Sequence, residues 1–188
     1  MIVQSPINKC LVSIEKKYQD KDGVISIDTS WRPEEFATLE GVVVSAPAKI
    51  EHDENRDVVG SVKQGDKVIF SYGVVYNYED QPDNDTPIYR NLLMVDDKEY
   101  WKVDLGDMFC KVDGEKITMV TNHLLLSMFH VEHKAVGHLG IVKGLPENIN
   151  LSVRVGDTVC FEPRFVQKYN ILGQEHFILP SRRVLAKL

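Results

Sequence analysis

Ser61-Val62-Lys63-Gln64-Gly65-Asp66-Lys67-Val68-Ile69-Phe70 is answered later in the chain by Ser152-Val153-Arg154-Val155-Gly156-Asp157-Thr158-Val159-Cys160-Phe161. Six of the ten positions are identical, and the Lys63/Arg154 and Ile69/Cys160 exchanges keep the character of two more. Each copy follows a glycine that opens an apolar run, Gly41-Val42-Val43-Val44 and Gly140-Ile141-Val142. Each is followed by a Gly-led stretch ending in aliphatics, Gly114 to Met128 and Gly173 to Leu188. A self-match in this order means one supersecondary unit used twice. The Gly-Asp pair has a local reason: glycine takes a positive φ cheaply, and the aspartate bonds nearby backbone N–H groups. Val68/Phe70 and Val159/Phe161 then alternate onto one face of a strand.

The remainder of the chain also reads as strand. Ile7 to Glu15, Asn91 to Val95, Met108 to Val112 and Ile117 to Val120 are short apolar runs, punctuated by Asp22-Gly23, Gly106-Asp107 and Asp113-Gly114. No stretch of three turns carries an apolar stripe at helical spacing with proper caps. Many short strands at this spacing predict an all-β fold of sandwich or barrel type. The stretch Glu79 to Pro87 is acidic, polar and proline-bearing, and reads as a loop leading into an added β-hairpin over Asn91 to Lys111, with Tyr100 and Trp101.

Composition narrows the function classes. The chain has 188 residues, 43% of them hydrophobic, enough for a buried core. A net charge of −6 argues against sequence-independent nucleic-acid binding, which needs a basic surface. No apolar run approaches the roughly 20 residues that span a bilayer, and the first residues lack a signal-like pattern. Cys10, Cys110 and Cys160 are far apart, odd in number and set in apolar runs. They read as three reduced, buried thiols of a cytoplasmic protein.

The ordered set of elements resembles the GroES-type co-chaperonins, the chaperonin-10 family. The residues that carry the likeness are the first strand Asn8 to Ile14, the Gly41 strand, the charged stretch Glu51 to Asp57 at the place of a roof hairpin, the Val62-Lys63-Gln64-Gly65-Asp66-Lys67-Val68-Ile69-Phe70 segment, and the closing Arg183-Val184-Leu185-Ala186. Leu124-Leu125-Leu126 stands at the closing place of the first copy. The resemblance implies two tandem GroES-like small β-barrels, the first with an extra β-hairpin insertion. The first spans 1–128, with a mobile-loop segment at 17–40 and the insertion at 77–111; a reduced second barrel spans 129–188. It further implies that the chain caps or modulates a chaperonin (GroEL-type) ring in ATP-dependent folding. The partner contacts fall on Val24, Ile25 and Ile27, at the centre of a segment with polar flanks; Ser26 interrupts the family's apolar triplet. A loop of this kind binds weakly when ordered, and a homo-oligomeric ring multiplies it. In the family the first strand pairs with the neighbour's last, which places Leu11, Val12, Ile14, Val184 and Leu185 at an oligomer interface.

Read from the residues alone, Val24, Ile25 and Ile27 equally suit a hairpin packed in its own barrel, and Trp31 and Phe36 suit either arrangement. His123, His130, His133 and His138 cluster in sequence, but in a strand His130 and His133 point to opposite faces and chelate poorly, so they are read as linker and surface histidines. No nucleophile elbow, phosphate-binding loop, dinucleotide fingerprint or zinc-protease motif occurs, so no catalytic residue, metal or cofactor is assigned. The alternative to a chaperonin lid is a non-enzymatic structural or assembly subunit, for example viral, on the same fold.

Overall fold

The structure is a computed structural model and describes residues 5, 7–14, 39–47, 61–76, 78–81, 84–146 and 152–188. The chain is mostly β-strand, in antiparallel sheets of seven and six strands and a two-stranded ribbon. The all-β expectation holds: among the described residues the one α-helix is the four-residue α1, Gly73–Tyr76.

The chain divides into two compact units, Met1–Asp53 with Val62–Met108, and Glu54–Ser61 with Phe109–Leu188. The first holds β1 (Lys9–Ser13), β2 (Glu40–Ser45), β3 (Lys67–Phe70), the ribbon β4 (Tyr78–Gln81) and β5 (Asn84–Tyr89), β6 (Leu92–Val95) and β7 (Lys98–Asp104). Its sheet runs β6-β7-β1-β2-β3. The second holds the hairpin of β8 (Met108–Asp113) and β9 (Lys116–Met119), then β10 (His123–Val131), β11 (Lys134–Gly144), β12 (Thr158–Phe161), β13 (Gln167–Ile171), β14 (Gln174–Pro180) and β15 (Val184–Lys187). Its sheet runs β13-β14-β10-β11-β12-β15.

The repeat seen in ten residues extends over five strands. Val12 pairs with Val43 on one side and Trp101 on the other, as Leu126 pairs with Val142 and Phe177. Gly41 opposes Val68 as Gly140 opposes Val159. Leu92 opposes Trp101 as Lys168 opposes Phe177. The turn chemistry matches bond for bond. Val43 N donates to Asp66 O at 2.9 Å and Gly65 N to Val43 O at 2.8 Å; Val142 N donates to Asp157 O at 2.9 Å and Gly156 N to Val142 O at 2.9 Å. The aspartate carboxylates accept from Lys63 N at 2.9 Å and Arg154 N at 2.7 Å. Gly65 and Gly156 carry φ of 90° and 94°, the conformation that side chains resist.

Two expectations change. Leu124-Leu125-Leu126 is the start of β10, the counterpart of Cys10-Leu11-Val12, so residues 109–128 group with the second unit and not, as expected, with the first. The hairpin expected as an insertion within 77–111 is β6–β7, the counterpart of β13–β14; what the first unit adds is the ribbon β4–β5. The hairpins β6–β7, β10–β11 and β13–β14 close on the same two-residue turn with both residues at positive φ: Asp96-Asp97, Glu132-His133 and Leu172-Gly173. In the second unit, Leu124, Leu126, Val142, Val159, Phe161, Phe177 and Leu179 form one buried apolar cluster.

Candidate functional site

The corner between β1 and β2, and its counterpart between β10 and β11, is where the two copies part. In the first unit β1 and β2 pair through Ser13↔Val42, and Phe70 N donates to Leu39 O at 3.0 Å. Lys67 and Glu40 form an ion pair at 3.0 Å across β2 and β3. Gly41 lets β1 and β2 approach closely: a methyl group built there would lie 2.7 Å from Ser13 O and overlap the Val12 side chain. Both ends of the connection from Ile14 to Leu39 are thus held on neighbouring strands. Val24, Ile25 and Ile27, the expected partner contacts, lie outside the described residues, as do Trp31, Phe36 and the stretch 51–57.

In the second unit the same corner is a hairpin arm. β10 pairs with β14 only from His123 to Leu126, and β11 pairs with β12 only from Leu139 to Ile141. Beyond those points the two strands pair with each other alone, through His130↔Ala135 and Val131↔Lys134 to the Glu132-His133 turn. Val131 and its neighbours from His130 to Ala135 are exposed. His130, His133 and His138 therefore belong to this arm and do not link two domains. His130 Nδ1 lies 3.1 Å from Met128 O, and His133 sits in the turn itself. His123 is elsewhere: its Nδ1 lies 2.8 Å from Thr121 Oγ1 and its ring packs edge-on against Phe109 at 4.9 Å. Among the described residues no group of His, Cys, Asp or Glu is arranged to hold a metal ion.

The expected oligomer residues are dispersed. β1 is paired on both sides, with β2 and β7, so its backbone has no open edge within the chain; Leu11 and Val12 are 1% and 0% exposed and face the core. Ile14 is half-buried. Val184 and Leu185 lie on β15, which pairs with β12 and ends its sheet, with Leu185 61% exposed. β7, the strand that covers β1, lies within the stretch 91–111 that reads from sequence as an added hairpin.

A cavity of about 210 Å³ opens in the second unit, lined by Phe109, His123, Arg164, Gln167, Ile178 and others. Its one guanidinium is engaged: Arg164 Nε donates to Glu162 Oε2 at 3.1 Å. Gln167 accepts from Tyr169 OH at 2.7 Å. His123, Arg164 and Gln167 thus share the lining with the apolar Phe109, Val166, Ile178 and Pro180. The thiols are quiet. Burial, with Asp104 and Asp66 adding to it, pushes the Cys10 thiol up to about 12, and burial pushes Cys110 up to about 12. Both therefore stay protonated and non-nucleophilic near neutrality. Cys160 is half-buried, and all three are free. No helix among the described residues is long and apolar enough to cross a membrane. No protein-family model matches the chain, and no curated protein matches it.

Proposed function

We propose that the chain is a co-chaperonin-like adaptor of two tandem GroES-like small barrels, which presents the segment 17–40 to a chaperonin ring. The observation that supports this is the frame around that segment. Its two ends leave the adjacent, paired strands β1 and β2, in a unit whose copy closes the same corner with a hairpin arm. A rigid corner with a long connection is how a scaffold offers a short apolar sequence to a partner at small cost to itself. Val24, Ile25 and Ile27 supply that sequence. Hydrolysis of ATP belongs to the partner, and several weak loops acting together give avid yet reversible capture.

The test is capture of the purified chain by a purified GroEL-type chaperonin, with and without nucleotide. Capture in one nucleotide state, lost on Ile25→Asp with no change in melting temperature, supports the reading. No capture in any nucleotide state, or a large loss of thermal stability in Ile25→Asp, sinks it. The second reading, a structural or assembly subunit, is favoured by the exposed apolar edge strand β6, with Met94 56% exposed. Protease sensitivity within 17–40 separates the two: cleavage suppressed only by chaperonin fits the adaptor, and resistance in the isolated chain fits the subunit.

A further inference from the structure

The sheet of the first unit ends on β6, whose one strand partner among the described residues is β7. β6 reads Leu92-Leu93-Met94-Val95, with no charge, proline or bulge. The hairpin fixes which of its backbone groups are engaged. Val95 and Lys98 flank the two-residue turn, and Lys102 N donates to Asn91 O at 2.8 Å. In an antiparallel ladder such pairs alternate, so residues 91, 93 and 95 bond to β7 while Leu92 and Met94 direct their N–H and C=O groups outward. The repeat shows what a guarded edge looks like on the same scaffold: the positions of Leu92 and Met94 are taken in β13 by Lys168 and Asn170. The other sheet ends, β9 and β15, carry Lys116 and Lys187. Charges of this kind are how proteins keep open edges from pairing, and β6 alone of these four lacks one.

We propose that β6 is a dimerisation strand, on which two copies of this chain pair edge to edge, antiparallel, about a two-fold axis at Leu93. The backbone and the flanking charges select that register. Centred on Leu93, Leu92 lies opposite Met94 of the second copy; both direct their backbone groups outward, so they exchange both N–H···O bonds, and symmetry repeats the exchange. Arg90 then faces Asp96 of the second copy at each end of the ribbon. Centring on Leu92 puts Arg90 opposite Met94, and centring on Met94 puts it opposite Lys98, a like-charge contact. Pairing also covers the exposed Met94 side chain. The contact is isologous and uses each chain's edge once, so association by this strand stops at two. It draws on neither the segment 17–40 nor the hairpin arm, and stands independently of the chaperonin reading.

Sedimentation velocity over a concentration series tests it. The native chain is expected to move from monomer to dimer. Leu92→Lys with Met94→Asn, which copies β13, is expected to stay monomeric, and Arg90→Glu, which faces Asp96 with a like charge, is expected to weaken the dimer at least about tenfold. Leu93→Cys reads the register separately. At the axis its two copies form a non-hydrogen-bonded pair with Cα atoms about 4.5 Å apart, within disulfide reach, so mild oxidation gives a covalent dimer. A native chain that stays monomeric throughout, a dimer that persists in the double variant with undiminished affinity, or cross-linking of Leu93→Cys no faster than of Lys187→Cys overturns the proposal.

Discussion

The carboxylate of Asp157 and the ammonium of Lys187 lie 2.7 Å apart, tying the turn before β12 to the edge strand β15. The side-chain bond from Lys187 and the backbone bond from Arg154 hold the carboxyl below the usual carboxylate range. Because the folded value is the lower one, its contribution to stability is present above the ordinary carboxylate value and is lost as pH falls through the depressed one. Asp157→Asn is expected to lower the urea midpoint at neutral pH and to show a shallower decline than the native chain below about pH 4. Parallel curves for the two proteins would contradict this.

His176 adds a second signature on the acid side, nearer neutrality. It is 6% exposed, lies opposite Tyr169, and its Nδ1 has no hydrogen-bond partner. Burial, with the Lys143 ammonium adding to it, pulls the imidazole below the usual histidine range. The unfolded chain therefore takes up this proton first, and stability present above about pH 6.5 is lost as pH falls below it. His176→Tyr, which installs the residue found at the matching position, Tyr100, should flatten the fall in melting temperature between pH 7 and pH 5.

Glycines on two strands should behave differently. Gly41→Ala forces a methyl group against Val12 and Ser13 O, and should cost about 2 kcal/mol in urea unfolding. Gly137→Ala, on the hairpin arm with nothing within 4 Å of the added carbon, should stay within about 0.5 kcal/mol of the native chain.

Thiol reagents should distinguish the three cysteines. Cys10 and Cys110 are buried and held protonated, so they should react only on unfolding, while the half-buried Cys160 should react first. Mass spectrometry of the labelled native chain, with Cys160→Ala as control, reads this directly.

Much of the fold was legible because turn chemistry is local. The Gly65-Asp66 and Gly156-Asp157 turns declare themselves in four residues, and the strands they feed follow by alternation. Strand partnership is not local, and there the reading slipped by one hairpin. Gly114 looked like the match of Gly173, yet the match is Asp97, because a positive φ in a two-residue turn is met by aspartate as well as by glycine. Glu99-Tyr100-Trp101 against Glu175-His176-Phe177 carried the correct alignment, but aromatic likeness is a weaker signal than glycine identity. The slip removed β7 from the sheet and left β1 with an edge it does not have. Nothing in the sequence distinguishes a covered strand from an open one until its neighbours are known.

The corner between β1 and β2 in one unit, and between β10 and β11 in the other, measures how much length the frame tolerates. Closure entropy rises only with the logarithm of length, so passing from the eleven residues between Met128 and Gly140 to the twenty-six between Ile14 and Gly41 costs about 1 kcal/mol while the strands on either side keep their register. The same frame of strands therefore accepts a long connection at that corner in one unit and a stiff arm in the other. Grafting the first unit's connection onto the second, in place of the arm between Met128 and Gly140, is the transplant this architecture permits.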